Sequence, residues 1–134
     1  MEGGKNDRKG KPLHTLERHL ADKIAHPYVS VSGDDAIFPY GQRLSIDVFP
    51  GAVFRVVDTG GSFRGVKKVY RSFGREPLDV CVSSKKTYMP ATATATIVNG
   101  DHFDKPGRAV AAGRFRGQDV QVGALEMLGS EARS

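Results

Sequence analysis

Phe54-Arg55-Val56-Val57-Asp58-Thr59-Gly60-Gly61-Ser62-Phe63-Arg64-Gly65 decides how the rest of the chain is read. Phe54, Val56 and Val57 belong to an apolar, β-branched run that predicts a strand. The run ends on Asp58 and passes into Thr59-Gly60-Gly61, with a further glycine at Gly65. That pattern predicts a tight turn needing positive φ or close backbone approach. Asp58 stands where a strand opens into a loop, a place where rigid scaffolds present reactive groups. It also has the chemistry of an Asx-type turn residue, helped by Thr59, and spacing alone leaves both roles open.

Upstream, residues 1–12 are rich in Gly, Lys and Asp and lack periodicity, which predicts an exposed loop or loosely tied terminus. Thr15 is the expected N-cap of a short helical pattern in which Leu16, Leu20 and Ile24 fall at i, i+4 and i+8, stopped by Pro27. His19 falls on its solvated side. Tyr28-Val29-Ser30-Val31-Ser32 alternates like a strand and runs into Gly33-Asp34-Asp35. Pro39-Tyr40-Gly41-Gln42 is a turn, and Arg43–Phe49 a strand with Leu44, Ile46 and Val48 on one face. Pro50-Gly51 turns the chain into the central stretch.

Downstream, Val66–Arg71 reads as a polar edge strand or hairpin arm. Leu78, Val80 and Val82 share one strand face, with Asp79 and Cys81 on the other. Ala91–Val98 is a clean alternation closed by Asn99-Gly100, Ala109-Val110-Ala111 and Val120-Gln121-Val122 are weaker strands, and 124–128 is a helical turn. Six or so short strands with glycine turns and a single early helix argue for a small closed β-barrel rather than βαβ winding.

The chain has 134 residues, enough for one domain with one core, and its composition is that of an ordinary globular chain. No apolar run reaches the length of a membrane span, and Met1-Glu2-Gly3-Gly4-Lys5 does not open a signal peptide. Twenty basic against fifteen acidic residues give a net charge of +5, which favours anionic partners. The basic residues are scattered, with short knots at Lys67-Lys68 and Lys85-Lys86, and the aromatics are not spaced as stacking platforms, so nucleic acid is disfavoured. His14, His19, His26 and His102 lack metal spacing, so neither a metal nor another cofactor is expected. Cys81, the single cysteine, reads as a small buried side chain.

Three aspartates occupy comparable stations: Asp34 after a strand, Asp58 after a strand and Asp79 within one. With Glu2-Gly3-Gly4, Asp7, Gly10-Lys11-Pro12-Leu13, Tyr28-Val29-Ser30-Val31, Phe38–Leu44, Val57–Gly65 and Leu78-Asp79-Val80-Cys81, they resemble the three-aspartate (3D) domain shared with the membrane-bound lytic transglycosylase A family. The resemblance covers residues 1–98. It implies a six-stranded double-psi β-barrel over 1–100, leaving 101–134 as a partly ordered C-terminal extension. It further implies cleavage of the MurNAc–GlcNAc bond of peptidoglycan with a 1,6-anhydro product. By the same match Asp79 is the general acid/base, Asp58 and Asp34 shape the field around it, and Thr59, Gly60, Gly61 and Arg64 bind the glycan.

The Val66–Pro77 stretch departs from the family pattern as an insertion, and the family's strand before Glu-Gly-Gly has no counterpart. A bacterial or phage protein acting in the cell envelope, or outside the cell if exported, is the expected setting. The same barrel without turnover would be a glycan-binding module. A different class is suggested by Val56-Val57-Asp58-Thr59-Gly60, which resembles the active-site triplet of homodimeric retropepsin-type aspartic proteases, though that reading leaves Asp34 and Asp79 without a role.

Overall fold

A computed structural model describes residues 6–34, 36–59, 70, 72, 74–84, 86–87, 89–98 and 118–126. The protein is mainly β with one short helix: α1 (Leu16–Ala21), β1 (Val29–Ser32), β2 (Gln42–Ile46), β3 (Phe54–Asp58), β4 (Glu76–Val82), β5 (Thr92–Val98) and β6 (Gln118–Glu126). Strands β1 to β5 curl into a half-barrel, and β6 lies parallel to β4 and antiparallel to β5. The strand order is β1-β3-β2-β5-β6-β4, and β4 returns to pair with β1. Among the described strands, β1–β3 and β4–β6 pair in parallel and the other pairs are antiparallel. Exchanging β1, β2 and β3 for β4, β5 and β6 leaves this order and these senses unchanged, so the pairing has an internal twofold pattern.

Strand alternation explains the core. Val29, Val31, Leu44, Ile46, Phe54, Val56, Leu78, Val80, Val82, Ala95, Ile97 and Val122 all belong to one buried cluster. The opposite face of the same strands carries a second cluster of Leu13, Tyr28, Tyr40, Val57 and Cys81. β1 is buried at all four positions because the chain before α1 lies against it. There Ser30 N–H donates to the His14 carbonyl, and His14 N–H donates to Ser30 Oγ, both at 2.8 Å. The Val29-Ser30-Val31-Ser32 alternation thus does not mark an exposed face, since Ser30 is buried and hydrogen-bonded to the chain that covers it.

Several local expectations are corrected. The helix is capped as read, with Thr15 Oγ1 accepting from Arg18 N–H, but it ends after six residues. Asp22 Oδ1 accepts from both Ile24 and Ala25 N–H and turns the chain away. Leu20 and Ile24 are therefore exposed, and the buried face is Leu16 with His19. β2 stops at Ile46, leaving Val48 exposed in the following turn, while Asp47 bonds both backbone and side chain to Thr94. Tyr70 has helical backbone, not the extended form read for Val66–Arg71, and the rest of that stretch lies outside the described residues.

At 124–126 the chain is strand rather than helical turn, so part of the 101–134 segment runs between β4 and β5. The Asn99-Gly100 turn, Ala109-Val110-Ala111 and His102 lie outside the described residues. No helix among the described residues is long and apolar enough to cross a membrane.

Candidate functional site

The end of β1 gathers the three aspartates. Ser32 pairs with Asp58 of β3 on one side and with Asp79 of β4 on the other, and Asp34 follows two residues later. A register shift between Val31 and Ser32 brings Asp58, rather than Val57, opposite Ser32. Gly33 N–H donates to the Asp58 carbonyl at 3.0 Å and continues the tie past the strand. A Cβ at Gly33 would stand 3.0 Å from both Leu78 Cδ2 and Phe38 Cδ2, so a side chain there would require one or both neighbours to shift. Glycine therefore lets Phe38 pack beneath the strand end.

The three carboxylates differ in setting. Asp34 is buried, and its Oδ1 accepts from Ala36 N–H in a turn. Asp58 is buried, with Oδ1 accepting from Thr59 N–H at 2.8 Å. Asp79 is half-buried and the most accessible of the three. No group of three His, Cys, Asp or Glu among the described residues is arranged to hold a metal ion. Thr59 is exposed; Gly60, Gly61 and Arg64 lie outside the described residues.

No family model, curated protein or solved structure matches this chain.

The segment expected to be loose is tied down beside these aspartates. Asp7 is 6% exposed and accepts three hydrogen bonds: Lys9 N–H (2.8 Å) and Lys11 N–H (2.9 Å) on Oδ1, and the Tyr40 hydroxyl (2.6 Å) on Oδ2. Gly10, at φ +81°, closes this turn with its N–H on the Asp7 carbonyl. Arg8 N–H reaches the Val57 carbonyl, one residue before Asp58. The Asp7-x-x-Gly10 pattern is legible as a turn, but its partner Tyr40 lies 33 residues away and no local signal points to it.

Glu17 accepts from Ser83 N–H at 2.7 Å and from the Thr87 hydroxyl, while Ser83 Oγ donates to Thr15 Oγ1. These bonds fasten α1 to the end of β4. His19, expected to be solvated, is 1% exposed. Its Nε2 accepts from Val53 N–H and its Nδ1 lies 2.7 Å from the His26 carbonyl, so the ring bridges two stretches of backbone. Cys81 is buried as read, and burial pushes its thiol up to about 12, so it is no nucleophile.

His14 and His26 meet at 3.0 Å between their Nδ1 atoms, which requires one of the two nitrogens to be bare. Burial lowers the His14 pKa below 6.5, and the cationic forms of His26 and His19 with Arg18 lower it further, against the opposing pull of Asp7. A base whose pKa falls on folding binds fewer protons folded than unfolded, so stability is greatest above 6.5 and declines as pH drops below it. We expect the unfolding midpoint to fall between about pH 7 and about pH 5, and His14→Gln to flatten that limb. Denaturant titrations at several pH values check it, and equal slopes in both proteins would remove His14 as the cause.

Proposed function

We propose that this chain is a double-psi-type β-barrel that cleaves peptidoglycan as a lytic transglycosylase-like enzyme, with Asp79 as general acid and base. The observation that carries the reading is Ser32 standing in register with both Asp58 and Asp79, with Asp34 just beyond. The twofold strand order supports the barrel type, and the docking of the Asp7 turn onto Tyr40 joins two of the quoted motif segments.

In this reaction the Asp79 carboxyl gives its proton to the glycosidic oxygen as the bond from that oxygen to C1 of the MurNAc ring breaks. The ring's own 6-hydroxyl then attacks C1, and the Asp79 carboxylate takes the proton that the hydroxyl loses. No water is consumed, and the acid returns to its starting state. Two further carboxyl groups, Asp34 and Asp58, are buried at the same strand end, where negative charge would favour the positive charge developing at C1. A substrate of this kind sets the place of action in the cell envelope.

The test is digestion of purified peptidoglycan with mass spectrometry of the soluble products. Wild type is expected to release anhydro-muropeptides lighter than hydrolytic products by one water, and Asp79→Asn to release them at least about 100-fold more slowly. Equal release by both proteins would move the acid to another residue. A second reading, a glycan-binding barrel without turnover, is favoured by the turn bonds that occupy both Asp34 and Asp58. Sedimentation with the wall but no released product would select it.

A further inference from the structure

Arg8 and Lys9 are exposed, yet their positions are determined from below. The Arg8 guanidinium carbon lies 5.5 Å and the Lys9 ammonium nitrogen 5.0 Å from the centre of the Tyr40 ring. Tyr40 is only 3% exposed, and its hydroxyl is locked onto Asp7, the same carboxylate that accepts Lys9 N–H. The turn is further tied to β3 at Val57, next to Asp58. Two cations are thus held on a buried aromatic platform at the flank of the three-aspartate strand end.

A cluster of carboxylates repels an anionic substrate unless positive charge stands on its approach. We infer that Arg8 and Lys9 form a carboxylate-binding subsite beside the aspartates and that it receives the acidic peptide stems of the glycan. This rests on the peptidoglycan reading proposed above. The platform explains why the cations are in this turn: burying Asp7 under Tyr40 rigidifies the two residues and lowers the entropy lost when they engage a ligand. The subsite selects stem-bearing over stripped glycan, and its contribution shrinks as salt rises.

The test measures binding of two soluble glycan preparations, one carrying peptide stems and one stripped of them by an amidase. The full chain is used with Asp79→Asn so that the glycan survives the titration. The expected result is about tenfold tighter binding of the stem-bearing glycan, and loss of that preference in a further variant carrying Arg8→Gln and Lys9→Gln. Glutamine keeps the backbone N–H groups that bond Asp7 and Val57, and an unchanged melting temperature confirms that the turn is intact. Equal binding of both glycans would overturn the subsite and leave the glycan reading standing. A preference that survives the double change would overturn it in favour of other cations. Binding of neither preparation would remove the glycan reading, and the subsite with it.

Discussion

Phe54→Ala is expected to lower the unfolding free energy by about 3–5 kcal/mol, the largest effect of any single change discussed for this chain. Phe54 is completely buried and pairs in register with Val29 on one side and Leu44 on the other, so it sits where β1, β3 and β2 join. Its ring lies 6.1 Å from that of Phe49 in the turn after β2. Truncation removes the transfer free energy of the ring and leaves a cavity between three strands that are tied by ladder bonds and cannot close over it. The melting temperature should fall by about 10 °C or more. Urea titration gives the number directly, with the midpoint moving and the slope unchanged. A loss below about 1.5 kcal/mol would mean that the site collapses freely and that the core is not packed as described.

Asp7→Ala comes second, at about 2–3 kcal/mol. The carboxylate has three donors, and two of them, the Lys9 and Lys11 N–H groups, belong to its own turn. Removing it takes away the 2.6 Å bond of the buried Tyr40 hydroxyl and releases the turn from the barrel. Hydrogen bonds to a carboxylate acceptor are stronger than neutral ones, so three lost together cost more than one neutral bond. Tyr40→Phe separates the contributions: it removes one bond and no backbone partner, so it should cost about 1 kcal/mol. If Asp7→Ala proved no worse than Tyr40→Phe, the turn would be held by something other than the carboxylate. Hydrogen exchange at Lys9 and Lys11 supplies an independent readout, since both amides should lose protection in Asp7→Ala and keep it in Tyr40→Phe.

Both changes act on a region whose reading from sequence was uneven, and the reason is physical. Strand β3 was legible because Phe54, Val56 and Val57 meet a strand's demands locally and Gly60-Gly61 punctuates its end. β5 was legible because Ala/Thr alternation persists over several residues. The helix was half-read: Thr15 capping is a local event, but which face is buried depends on what packs there. Leu20 and Ile24 keep a helical spacing that Asp22 interrupts, and His19 takes the inner position because Val53 N–H and the His26 carbonyl satisfy both its nitrogens. Residues 6–12 looked loose because their anchor is a tyrosine far along the chain.

By itself the sequence determined the class of fold, the order of most strands, the turn chemistry at Gly41 and Gly51, and the placing of Asp34 and Asp58 where strands finish and of Asp79 within one. These follow from near-neighbour rules: side-chain periodicity, β-branching, and glycine where φ is positive. Tertiary structure alone decided that Asp58 and Asp79 flank Ser32, that Glu17 fastens the helix to β4, and that residues 118–126 run between β4 and β5. Strand neighbours, register and buried polar partners are set by which surfaces meet when the sheet curls. Those meetings join residues tens of positions apart and have no signature in any short stretch of sequence.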